Sequence, residues 1–219
     1  MENVVIEHFR ERVRRGEYTP ALREVKSLPE RLEGRLLEVG CGAGLTYLPG
    51  RLEVCGVDIT PEMIRLFEKL YPDAHAIIGD AKALPFRRAS FNVIVSNELL
   101  HHLVGSSVKK CKDNVKKAMG EMKRVLKSDG VLLIRELLVG SYLFSLIMFY
   151  FTLLCAKLGI EINLLDIHSR VITFFLTEKE FKKISSENGF EIETELRDWI
   201  MFGKLRLGRD IEFLARLRC

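Results

Sequence analysis

The stretch LEVGCGAG, residues 37–44, sets glycine at 40, 42 and 44 directly behind an apolar run. Such a turn lets backbone amides come close to a ligand, at the N-terminus of the helix expected to follow. Two carboxylates end later apolar runs, Asp58 in VCGVD and Asp80 in IIGD. At the first of these positions a carboxylate can accept both hydroxyls of a ribose. At the second it can accept from an adenine amino group. The dinucleotide fingerprint G-x-G-x-x-G would need glycine where Leu45 stands, which counts against NAD. Further along, SNELLHH ends in His101 and His102. Imidazole titrates near neutrality, so either could take a proton as a general base, with Glu98 a lesser candidate.

Other reactive residue types lack such a setting. His8, His75 and His168 are isolated and read as surface or packing, although His168 could reach a pocket from the insertion that carries it. The five cysteines, Cys41, Cys55, Cys111, Cys155 and Cys219, form no CxxC pair. An odd count without that spacing argues against a disulfide framework or a zinc site and for a reducing cytosol. No metal-ligand spacing occurs, so no metal is expected. The N-terminus MENVVIEHFRERVRRGEY has no apolar signal region.

Apolar periodicity supplies the elements that must hold these groups. A short amphipathic helix is expected over 4–15. Strands are expected at 34–39, 52–58, 74–80, 91–97 and 130–136, with helices at 60–71 and 113–126 between them. Five apolar strands alternating with helices mean a parallel sheet covered on both faces. A capped helix at 177–189 and two runs at 190–199 and 209–218 follow. With no helix between them, those last two should pair antiparallel. Every candidate residue then falls at the carboxyl ends of parallel strands, where open α/β sheets bind ligands. The 219 residues suit one domain, and a net charge of +4 does not demand a nucleic-acid partner.

The ordered stretches LLEVGCGAG, VCGVDITPEMI, GDAKALPF, SFNVIVSNELLHHL and MKRVLKSDGVLLI resemble the class I S-adenosylmethionine-dependent methyltransferases, closest to the branch acting on quinones, lipids and other small molecules. The resemblance covers about residues 35 to 136, and LTEKEFKKISSENGFEI looks like the family's late helix and strand. It implies a three-layer Rossmann-like sandwich: a mostly parallel seven-stranded sheet with an antiparallel last strand. It also implies S-adenosylmethionine as cofactor and S-adenosylhomocysteine as product. Gly40, Gly42 and Gly44 would lie against the methionine part, with Cys41 between them and Glu38 orienting the loop. Asp58 would hold the ribose, Ile59 would cover the adenine with Met63 nearby, Asp80 and Ala81 would meet the adenine edge, and Asn97 would stand near the methionine end. LKSDG replaces the Pro-Gly-Gly of many relatives and should still turn through Ser128 and Asp129.

Residues 137–156, LLVGSYLFSLIMFYFTLLCA, carry no charge. Twenty apolar residues could span a bilayer, but the chain must return to the same sheet for its last helix and strands, so a single crossing is excluded on topology. Residues 137–170 therefore form a hydrophobic helical cap within one domain spanning 1–219, behind an N-terminal helical segment at 1–34. The cap closes an apolar acceptor pocket, or its outer face also rests on a membrane surface. Five lysines in KKCKDNVKK would suit anionic lipid, although such runs are more often a solvated helix face. The expected activity is methyl transfer to a quinone, isoprenoid or lipid-like molecule, in the cytoplasm or peripherally on the inner membrane face. The rivals are a tRNA-base methyltransferase and a cofactor-binding subunit of a complex that uses the apolar segment as a dimer interface.

Overall fold

Branched apolar residues at successive positions, as in LLEV and NVIVS, need burial on both faces of a strand, and a covered parallel sheet supplies it. The computed structural model describes residues 2–16, 23–24, 32–44, 46–47, 50–160, 163–164, 167–168, 171–202 and 205–218. Its main sheet has seven strands: β1 (Leu32–Val39), β2 (Gly50–Asp58), β3 (His75–Ile78), β4 (Phe91–Asn97), β5 (Leu126–Val139), β6 (Phe190–Phe202) and β7 (Leu205–Leu217). The spatial order is β6-β7-β5-β4-β1-β2-β3. β7 runs antiparallel to both β5 and β6, and the remaining pairings are parallel. The order reverses beside β1, between β2 on one side and β4 on the other, and the crevice above that switch point is where such sheets take ligands.

Five helices accompany the sheet: α1 (Glu2–Arg14), α2 (Pro61–Leu70), α3 (Val108–Val125), α4 (Tyr142–Leu158) and α5 (Glu178–Glu187). One face of the sheet packs Leu37, Ile94, Leu132 and Ile134 into a core with Val115, Met119 and Met122 of α3 and Phe181 of α5. The Phe181 and Phe213 rings stack there at 4.4 Å. Leu36, Val93, Val95 and Leu133 form a second cluster on the opposite face. On that side α2 presses against β2 at Gly56, where an added Cβ would stand 2.8 Å from Cys41 Sγ and 3.2 Å from Phe67 Cζ.

Several expectations are refined. No helix follows the glycine loop among the described residues: Thr46–Tyr47 is extended and pairs with Arg23–Glu24. Only five residues separate Gly44 from β2, too few for a helix to nucleate and return. Ser128 and Asp129 form no free turn. The register jumps from Phe91↔Leu126 to Val93↔Val131, so they bulge out of one long β5. α3 starts at Val108 rather than near 113, because the Ser107 side chain accepts from the Lys110 amide as an N-cap. Of the N-terminal segment, α1 is helical and Leu32–Gly34 already belongs to β1; most of 17–31 lies outside the described residues. The uncharged run also divides: Leu137–Val139 completes β5, and α4 begins after Ser141 and ends at left-handed Gly159.

Candidate active site

Strand pairing brings the candidate residues to one edge. Val39 is level with Val57, Asp58 with Ile78, and Asn97 with Arg135. The segments that leave β1, β2, β3 and β4 therefore emerge side by side. Gly40 and Gly42 both adopt left-handed backbone, at φ +72° and +54°. A Cβ at Gly40 would come within 2.7 Å of Leu99. The loop folds back on β2, with the Gly40 and Cys41 amides donating to Val57 O at 2.8 and 3.1 Å.

Asp58 clamps this loop from the end of β2. Its Oδ2 accepts from the Gly42 amide at 3.0 Å and its Oδ1 from the amide of Thr60, the residue at the N-cap position of α2, at 2.8 Å. Burial pushes its carboxyl up, and those amide bonds pull it back. Asp80 holds the turn after β3, accepting from the Lys82 amide at 2.8 Å and pairing with the Lys82 ammonium at 3.1 Å. Glu38 is buried directly before the loop, Ile59 is half-buried beside Asp58, and Ala81 is buried beside Asp80. Asn97 is half-buried at the end of β4, next to Glu98, which takes the left-handed φ of 48°. Cys41 is buried, and its thiol is pushed well up, first by burial and then by Asp58 and Glu38, so it is no nucleophile. Met63 is core, 2% exposed.

The residues present fit an adenosyl sulfonium. The left-handed glycines leave room where a side chain cannot stand. Carboxylates end two adjacent strands beside that room, as ribose hydroxyls and an adenine amino group require.

The two histidines differ sharply. Both belong to the 3-10 turn Leu100–His102 after β4. His101 Nδ1 lies 2.5 Å from Glu136 Oε1, and Glu136 is 1% exposed at the end of β5. The same carboxylate accepts from the Leu100 amide at 2.7 Å and the Leu137 amide at 2.9 Å. A carboxylate only accepts, so Nδ1 carries a proton toward Glu136. The His101 ring stacks on Phe175 at 5.3 Å, and its carbonyl accepts from the Phe174 amide at 2.9 Å. His102 instead packs edge-on against Phe9 of α1 at 5.2 Å, with its Nδ1 sealed from solvent and without a partner. Burial, His101 and His8 together push the His102 imidazole well down.

Four residues that contribute to this site were not legible beforehand. Glu136 had one signal, as the single acid in LLIRELLVG. Phe174 and Phe175 reach His101 from a loop far along the chain. His8, which looks isolated in sequence, stands close enough to His102 to shift it electrostatically, because α1 lies across the mouth of the sheet. His75 lies on exposed edge strand β3, and the His168 side chain is outside the described residues. A groove lined by Asn92, Asp129 and Arg216 opens at the opposite end of the sheet, away from all these residues. Among the described residues no group of three or more His, Cys, Asp or Glu could hold a metal ion.

Residues 37–134 match the family model described as a methyltransferase domain. The chain is 36% identical over 126 residues to the methyltransferase YcgJ of Bacillus subtilis, covering 54% of this chain and 45% of that protein. It is 28% identical over 174 residues to a demethylmenaquinone methyltransferase of Thermotoga maritima, covering 74% and 72% of the two chains. In fold it is similar to the crystal structure of a SAM-dependent methyltransferase from Methanosarcina mazei, with a TM-score of 0.64, 21% identity and coverage of 87% and 94%. The chain spans about half the length of the first curated relatives it matches.

Proposed function

From a chain that belongs to the class I S-adenosylmethionine-dependent methyltransferases, we propose an enzyme that methylates an apolar, quinone- or lipid-like small molecule with His101 as general base. The observation that carries this reading is the pairing of half-buried His101 with buried Glu136, 2.5 Å apart, with the His101 ring stacked on Phe175.

S-adenosylmethionine supplies, when bound, a methyl group made electrophilic by its sulfonium. In this reading the glycine loop and Glu38 seat the methionine part, Asp58 takes the ribose hydroxyls, and Asp80 with Ala81 meets the adenine. Ile59 and Asn97 line the same cleft, and buried Met63 backs it. Phe174 and Phe175 exclude water and pack against an apolar acceptor. An acceptor held there would bond the methyl carbon with its own electron pair, the carbon–sulfur pair leaving with S-adenosylhomocysteine. A hydroxyl or ring-carbon acceptor must also give up a proton. With Nδ1 committed to Glu136, His101 Nε2 takes it, and the Glu136 carboxylate stabilises the imidazolium formed. His102 has its imidazole pushed well down and its ring wedged against Phe9, so it packs rather than titrates. The printed activity of the Thermotoga relative, on demethylmenaquinone, supports an aromatic apolar acceptor.

The test uses a reduced naphthoquinone lacking its ring methyl, with labelled S-adenosylmethionine. His101→Ala is expected to lower kcat by about 10²- to 10⁴-fold with cofactor affinity retained. Glu136→Gln removes a negative charge beside the ring, so the acidic limb of kcat/KM should move to lower pH. Full turnover by His101→Ala would eliminate the base assignment.

A further inference from the structure

α4 is folded inside out for a soluble helix. Its buried face carries Ser145, Phe149, Thr152 and Cys155. Ser145 Oγ donates to Phe175 O, and Thr152 Oγ1 donates to Phe149 O and accepts from the Thr173 amide at 3.3 Å. The polar side is thus used up in fixing the 171–176 segment over His101. The outward stripe is Leu143, Ile147, Tyr150, Phe151, Leu154 and Leu158, spaced at one helical turn, and Leu143 is 65% exposed. Leaving such side chains in water forgoes about 1.5–3 kcal/mol each relative to full burial, so a contiguous row marks a docking face.

Charge indicates what covers it. α4 contains no Asp or Glu. At its N-terminal end, the Lys112 ammonium lies over the Tyr142 ring at 4.6 Å. Lys109, one turn earlier on α3, and Lys110 are exposed, and Lys157 is exposed at the other end of α4. A second copy stacked antiparallel on this face would set lysine against lysine with no acid on the helix to pair it. A bilayer with anionic headgroups satisfies the apolar row and the cations together. The helix has 17 residues, roughly 25 Å at 1.5 Å per residue. No helix among the described residues is long and apolar enough to cross a membrane, so α4 would lie along the surface.

We propose that the outer face of α4 is a monotopic docking surface for an anionic membrane, with the exposed Lys109, Lys110 and Lys157 contacting headgroups, while Lys112 stays paired with Glu180 at 2.5 Å. Docking rests on α4 and the exposed lysines at the start of α3. Only its consequence, that a lipid-dissolved acceptor enters past Phe174 and Phe175, rests on the function proposed above.

Sedimentation of the full chain with phosphatidylcholine vesicles, with and without phosphatidylglycerol, tests it. Binding is expected to the anionic vesicles and to weaken with added salt. The double variant Lys109→Ala, Lys110→Ala should bind about fivefold more weakly per lysine. Ile147→Asp or Leu154→Asp, both at exposed positions, should abolish binding while calorimetry shows S-adenosylmethionine affinity unchanged. Three results overturn the proposal: no binding to the anionic vesicles, undiminished binding of the aspartate variants, or a solution dimer that Ile147→Asp breaks without any vesicle binding. Cofactor affinity on the same samples tells failure of docking from failure of the methyltransferase reading.

Discussion

His101 and His102 are neighbours in sequence with ring centroids 4.1 Å apart, yet their surroundings oppose each other. His101 faces a buried carboxylate that orients one nitrogen. His102 faces Phe9 and two other imidazoles, where a positive charge is unwelcome. Its pKa therefore lies well below the ordinary 6.5 in the folded chain. The unfolded chain binds that proton first as pH falls, so the folded state loses stability on acidification below about pH 6.5 and regains it on return to neutrality. We expect the melting temperature to fall between about pH 7 and about pH 5, with a shallower fall in His102→Phe, followed by calorimetry. An unchanged slope in that variant would show that another group carries the dependence. Both histidines were candidates from the HH pair alone. Their different surroundings depend on Glu136 and Phe9, which lie 34 and 93 positions from His102 and come near only through folding.

At the level of elements, the glycine loop and β2 act as one unit because Asp58 ties them. Two of its hydrogen bonds reach amides on either side of it in sequence, at Gly42, 16 residues before, and at Thr60, 2 residues after. Asp58→Ala is expected to weaken S-adenosylmethionine binding by about 1–3 kcal/mol, the range for losing a hydrogen-bonding partner. It should also speed exchange of the Gly42 amide in the unliganded protein, as measured by NMR. Weakened binding without faster exchange would leave Asp58 a ligand contact but no strap. The missing helix after Gly44 has a local cause that can be read from length, since LTYLP is too short. The bulge at Ser128–Asp129 does not, because only pairing with β4 shows that β5 begins at Leu126.

For the whole molecule, the family reading carries a thermodynamic consequence. A ligand that binds only the folded chain raises its stability by about 2.7 kcal/mol at a hundredfold excess over Kd. For a domain of this size that is roughly 5–11 °C in melting temperature. S-adenosylhomocysteine should produce such a shift and NAD should not; the reverse pattern would reject the cofactor. The sequence by itself determined the sheet-and-helix alternation, the glycine loop and the two strand-end carboxylates, because strand periodicity, turn glycines and a motif confined to a few neighbouring positions are local properties. It also determined that residues 137–156 could not be ordinary surface. Only the tertiary structure decided which histidine meets a carboxylate, that α1 closes over the second one, and that α4 turns Ser145 and Thr152 inward and Leu143, Leu154 and Leu158 outward. Those outcomes depend on which distant segments share a face once the strands are paired, and pairing partners are not encoded in any one stretch of chain.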